Sequence, residues 1–228
     1  MHIAELRLLT NRLAELRAFY AGELGLAVVA EDNASFVLQA GATRLIFVQT
    51  PGEMPQYHFA FNIPENQLAA AKTWLSRYTP LLMRDGMDQF TSAVWDSEQV
   101  YFADPAGNIG ELIARHTLPN GAEGAFGPGS ILDVSEIGLP VDDVPASVDG
   151  LCAALGIAPY RAAREERETF TPVGDEHGLF IVVKRPRPWF PTDCAATVHT
   201  TAVTIHAPGA SAYRVPGFPY VIAVAKRP

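Results

Sequence analysis

The strongest constraint on what this chain can fold into is an internal repeat. Three segments share one plan, a short alternating strand, a turn and an amphipathic helix. They are "ELRLLTNRLAELRAFYAGELGL" from Glu5, "HFAFNIPENQLAAAKTWLSRY" from His58 and "EIGLPVDDVPASVDGLCAALGI" from Glu136. The helices repeat apolar residues at helical spacing: Leu13, Leu16, Tyr20 and Leu24 in the first; Leu68, Ala71, Leu75 and Tyr78 in the second; Val144, Val148, Leu151 and Leu155 in the third. Gly25 and Gly156 stand as C-terminal caps of the first and third, and Pro80 stops the second. Strand-like runs follow each helix. The unit is βαβββ, an α+β pattern, occurring about three times with a shortened closing section.

Composition removes several function classes. With 228 residues, 48% hydrophobic and 18% charged, the chain can bury a proper core. A formal charge of −8 argues against nucleic acid or an anionic membrane as partner, because both reward clustered Lys and Arg. No apolar run approaches the ~20 residues of a membrane span. Glu5 and Arg7 interrupt the first apolar run, unlike a signal peptide. Two cysteines are too few for a disulfide framework or a zinc knuckle, and Cys152 falls on an apolar helix face. A cytoplasmic location is expected.

One hairpin carries an anomaly. "YFADPAGNIGELIAR", Tyr101 to Arg115, reads as a strand, a tight Asp-Pro-Ala-Gly-Asn turn and a second strand. The second strand is apolar except for Glu111, set between Gly110 and Leu112.

This organisation resembles the vicinal oxygen chelate superfamily, which includes glyoxalase I, fosfomycin-resistance proteins, extradiol dioxygenases and bleomycin-resistance proteins. The resemblance rests on "FYAGELGL" at Phe19 to Leu26, "YFADPAGNIGEL" at Tyr101 to Leu112 and "HFAFNIPEN" from His58. It implies that two βαβββ modules, 1–52 and 56–115, form an open cup of curved sheet. Residues 116–130, rich in Gly and Pro, then link to a third module over 131–228. It also implies a divalent metal inside the cup, held by the first strand of each module and a last-strand Glu. Many relatives with three-ligand sites carry His where this chain has Glu5, while glyoxalase-like sites mix Glu, Gln and His. Tyr101 matches a tyrosine that binds substrate in the dioxygenases.

Side-chain alternation tests that placement independently. Leu6 and Leu8 share one face of their strand, as do Phe59, Phe61 and Ile63, and these sets should pack on the helices. The opposite parity carries Glu5 and Arg7, then His58, Ala60 and Asn62, and in the last strand Glu111. Glu5, His58 and Glu111 therefore project to the cup side as expected metal ligands, with Glu111 and Tyr101 as catalytic candidates. Two carboxylates and an imidazole suit a divalent ion such as Zn, Ni, Mn or Fe and leave positions open for substrate.

Other readings stand beside these. His58 can be a neutral core histidine bonded to Glu111, Glu5 can pair with Arg7, and Arg7 can hold a substrate carboxylate or lie solvated at the rim. Glu136 repeats the parity of Glu5, but the last strand of its module, "LFIVV", has no carboxylate, so it reads as structural or interfacial. His177 sits at the turn tip of "GDEHG" and reads as solvated. Prolines 186, 188 and 191 keep "RPRPWFPTD" out of any central strand and leave Trp189 and Phe190 to cover apolar surface. An unpaired third module would expose its concave face and favour a homodimer. Two functions compete: a metal-dependent isomerase or lyase (less so a ring-cleavage dioxygenase) acting on a small molecule with vicinal oxygens, and a metal-free ligand-binding cup.

Overall fold

A computed structural model of the chain describes residues 1–161, 167–209 and 212–225. Strand β1 (His2–Thr10) leads into helix α1 (Leu13–Arg17), which widens into a π turn over Ala18–Glu23, and then β2 (Ala27–Glu31), β3 (Ser35–Ala40) and β4 (Thr43–Gln49). The second module runs β5 (His58–Ile63), α2 (Leu68–Leu75), β6 (Phe90–Ser92), β7 (Ser97–Ala103) and β8 (Ile109–Arg115). The third has β9 (Asp133–Val141), α3 (Val144–Leu155), β10 (Phe170–Asp175) and β11 (Gly178–Lys184). A closing section follows, with β12 (Thr201–His206), β13 (Ala212–Arg214) and β14 (Tyr220–Val224).

The third helix forms where the apolar spacing put it. By contrast, α2 ends at Leu75 and leaves Tyr78 beyond it and exposed, and the first gives way to the π turn after Arg17. In α3 the buried side chains are Val144, Val148, Leu151 and Leu155, together with Ser147. Four such apolar groups represent roughly 6–12 kcal/mol of gross burial. Asp143 caps the N-terminus by accepting from Ala146 N at 3.0 Å, and Gly156 ends the helix at φ 65°. No helix among the described residues is long and apolar enough to cross a membrane.

The pairing of modules differs from the expected one. Two seven-stranded sheets form, in the orders β13-β14-β12-β1-β4-β3-β2 and β10-β11-β9-β5-β8-β7-β6. In each, two first strands meet antiparallel: β1 with β12, and β5 with β9. The second module thus shares its curved sheet with the third, not with the first. The closing section behaves as a reduced fourth module, with β14 parallel to β12, and it occupies the edge of β1 that the first and second modules were expected to share. The physical reason is that every first strand has the same in-out alternation. The repeat therefore specifies modules, while their partnership depends on long-range edge complementarity. The unpaired third module expected to drive homodimerisation is paired within its own chain.

Candidate metal centre

The curved sheet of β5 to β11 brings a row of side chains to its concave face. Across the ladder, Tyr101 on β7 lies opposite Glu111 on β8, Glu111 opposite Ala60 on β5, and Ala60 opposite Glu136 on β9. Ala60 separates the two glutamates with nothing larger than a methyl group. His58, two residues earlier on β5, faces the same gap. The register is held from below by the turn after β7. Asp104 accepts from Ala106 N at 2.9 Å, Asn108 N at 3.0 Å and Tyr20 Oη at 3.0 Å, with Gly107 at φ 82°. On β9 one extra residue, Ser135, bulges between Val134 and Glu136 and sets which side chains reach the cup.

His58 Nε2 stands 3.5 Å from Glu111 Oε2 and 4.0 Å from Glu136 Oε2. All three residues are buried, and their ligand atoms lie within 4.8 Å of one another. His58 Nδ1 is 3.2 Å from the Ile109 carbonyl, which can only accept. That bond places the proton on Nδ1 and leaves Nε2 with its lone pair toward the carboxylates, the tautomer a metal ligand needs. Glu136 also pairs with the fully buried Arg115, whose Nε donates to Asn62 Oδ1 at 3.1 Å. The Arg115 guanidinium lies 5.3 Å from the Trp95 ring centre.

Above the row is a cavity of about 320 Å³, walled by Trp95, Phe170, Ile181, Trp189 and Phe190, with Arg161 and Arg187 also lining it. Trp189 folds against β9 because Gly138 has no side chain; a Cβ there would meet the indole at 2.4 Å. The proline-rich segment therefore supplies a wall of the cup.

No family model and no curated protein matches the sequence. Solved structures do match the fold. A Bacillus subtilis subsp. subtilis str. 168 protein provisionally assigned as a dioxygenase superposes with a TM-score of 0.66 at 16% identity, over 100% of this chain and 86% of that one. Glyoxalase I from Zea mays superposes with a TM-score of 0.59 at 14% identity, over 99% of this chain and 92% of that one. The protein has the vicinal oxygen chelate fold.

Within this fold, the sequence-predicted residues separate. His58, Glu111 and Tyr101 come together on one concave face. Glu5 does not join them: it lies on β1 in the other sheet, where Arg44 Nη1 donates to it at 2.9 Å and Thr204 stands across the β12 ladder. Arg7, on the same strand, is exposed. Glu136 takes the place expected for Glu5. Its signal was present in the sequence, since "DVSEIGLPV" offers Glu136 no basic residue while Glu5 has Arg7 two residues away. A carboxylate in a strand buried throughout needs a partner more urgently than one beside a cation.

The electrostatics fit a divalent cation. Burial pushes the His58 imidazole down to about 4, so it is neutral at pH 7. Glu111 is held well above the ordinary carboxylate range, first by burial and then by the charge of Glu136, with Arg115 opposing. Glu136 is raised by burial, also against Arg115. Two acids thus share one guanidinium in a dry site. Donor atoms on one ion sit roughly 3.0–3.4 Å apart for bonds near 2.1 Å. The two separations from His58 Nε2, 3.5 and 4.0 Å, close to that with glutamate movements of about half an ångström, a small rotation on a side chain with several torsions.

Two consequences are measurable. Valine at position 60 would fill the gap between the glutamates. Ala60→Val should abolish divalent-ion binding between His58, Glu111 and Glu136 while costing only the ~1–3 kcal/mol of an overpacked core, read by calorimetric titration in a His177→Ala background beside thermal melts. An ion also competes with the proton that burial favours on Glu111. Affinity should therefore fall as pH drops, and binding in the range where that raised carboxyl titrates should release protons, seen as a buffer-dependent binding enthalpy.

Proposed function

We propose that the protein is a divalent-metal-dependent enzyme of the isomerase or lyase type, acting on a small molecule with two neighbouring oxygens, with His58, Glu111 and Glu136 as ligands. The observation that carries this reading is the convergence of an unprotonated imidazole nitrogen and two carboxylates across the Ala60 gap, at the floor of an aromatic-walled cavity. A bound ion would supply Lewis-acid polarisation of the oxygen pair. Glu111 is the better base of the two acids, because burial and the charge of Glu136 raise its proton affinity well above the ordinary range, while the direct ion pair with Arg115 opposes the rise at Glu136. Swung out of the ligand position, its carboxylate takes a proton from the carbon bearing the hydroxyl and returns it to the neighbouring carbonyl carbon, while the hydroxyl proton passes to the former carbonyl oxygen. Tyr101, opposite Glu111 and kept protonated by burial and the adjacent carboxylates, donates to a substrate oxygen. The aromatic walls favour a substrate with a flat apolar body.

A metal-free ligand-binding cup is the second reading, favoured by Arg115, which already gives Glu136 a counter-charge. A suitable probe is 2-hydroxyacetophenone, an aromatic α-hydroxyketone, followed by NMR in D2O. The enzyme reading expects exchange of the methylene protons that requires an added divalent ion and disappears in Glu111→Gln. Ion binding without exchange, but with iron-dependent oxygen uptake on catechol, would replace the isomerase by a ring-cleavage enzyme. No binding of Mn²⁺, Fe²⁺, Ni²⁺ or Zn²⁺ would leave only the ligand-binding cup.

A further inference from the structure

Three more potential ligands meet outside the cup. We propose that His2, Asp133 and His177 form a second divalent-cation site, a structural clip joining the two sheets. One donor atom from each lies within 4.8 Å of the others. They come from separate parts of the chain: His2 opens β1 in one sheet, while Asp133 opens β9 and His177 lies in the β10–β11 turn of the other. None of them lines the cup cavity.

Proximity alone would not make a site, but Asp133 adds an independent observation. It is only 9% exposed, and its Oδ1 has no hydrogen-bond partner among the described residues. A buried carboxylate oxygen left unpaired costs about 1–3 kcal/mol, and more when charged, unless something binds it. The bulge at Ser135 is what turns Asp133 this way. It lets Asp133 and Glu136, three residues apart, both face the concave side, Asp133 opposite Asn62 and Glu136 opposite Ala60. Burial pushes the Asp133 carboxyl up to about 7, against a hydrogen bond from Asn62 and the charge of Arg115, so these leave its Oδ1 uncompensated.

The two imidazoles are already held side by side, with ring centres 4.6 Å apart and planes 23° from parallel. Their supports are rigid. His177 N donates to Asp175 Oδ1 at 3.0 Å, and Asn62 Nδ2 donates to the Glu176 carbonyl at 2.9 Å. The hairpin presses on the start of β1 so closely that a Cβ on Gly178 would lie 2.9 Å from the Met1 carbonyl oxygen. Two nitrogens and one carboxylate oxygen select a borderline ion of the zinc type over Mg²⁺ or Ca²⁺, which prefer oxygen throughout. Bridging β1 to the β10–β11 turn, such an ion would tie the two sheets at this end.

The test uses Zn²⁺ on His58→Ala protein, in which the cup is disabled. The clip predicts one equivalent bound and, at roughly 100-fold excess over Kd, a rise of about 5–10 °C in the unfolding midpoint. Both should vanish in His58→Ala/His177→Ala and in His58→Ala/Asp133→Asn. His177 sits on a turn, so its truncation leaves the core intact, and the melt of the ion-free double variant verifies this. Absence of Zn²⁺ binding by His58→Ala, or the same binding in both double variants, would overturn the clip. Neither result bears on the cup, which is read separately from His177→Ala protein.

Discussion

Glu136→Gln should lower divalent-ion affinity of the cup by more than about 100-fold, whereas Glu5→Gln should leave it unchanged. Loss of an outer-sphere partner alone costs about 10–100-fold, and Glu136 is assigned here as a direct ligand. Glutamine keeps the shape and a hydrogen-bond acceptor for Arg115 but removes the charge an ion would need. Glu5 is the sharp control, because the repeat places both glutamates at the same strand position. Only Glu136 reaches His58; Glu5 spends its charge on Arg44 in the other sheet. Competition against a chromophoric chelator, with His177→Ala as the common background, reads both variants. Equal affinity losses in the two would contradict the assignment.

Arg115→Met should produce the largest stability loss of any single change discussed here. The guanidinium is fully buried, paired with Glu136 and bonded to Asn62, and it lowers the carboxyls of Glu111, Glu136 and Asp133. Removing one member of a buried ion pair costs about 3–5 kcal/mol, because the other charge stays behind. For a chain of this length that is a drop of roughly 10 °C in the unfolding midpoint. The loss depends on pH in a fixed direction. These carboxyls are raised above their unfolded values, so the folded state binds more protons and loses stability as pH rises through the raised range, which for Asp133 lies near 7. Without Arg115 they rise further. The variant should therefore be most destabilised above pH 7 and approach the wild type near pH 4, where the unfolded carboxyls also take up protons. Equal destabilisation across pH 4–8 would assign Arg115 a packing role alone.

Much of this was legible before any coordinates. Alternation in "HFAFNIP" and "NIGELIAR" put His58 and Glu111 on the concave face. Gly156 closed the third helix as read, and the second ended before Pro80. These signals are local, carried by period, turn chemistry and capping. What was not legible is which first strand lies beside which. β1, β5, β9 and β12 all alternate in the same way, so nothing within any one of them says that β5 chooses β9. That choice exchanges Glu5 for Glu136 at the site. The bulge at Ser135 was equally hidden, because a one-residue insertion leaves no mark in a strand that is buried on both faces. His177 therefore read as a solvated turn tip, and its meeting with His2 and Asp133 depends on how the two sheets pack together.

The most direct test of the cup is the metal content of His177→Ala protein purified without chelator or metal-affinity tag, compared with His58→Ala/His177→Ala. One ion per chain in the first and almost none in the second is the predicted result, and the identity of the ion would rank the chemistries, with iron favouring ring cleavage and nickel, zinc or manganese favouring isomerisation or lysis. His177→Ala protein that holds no ion, even after incubation with excess Mn²⁺, Fe²⁺, Ni²⁺ and Zn²⁺, would contradict the assignment of His58, Glu111 and Glu136 as a metal centre.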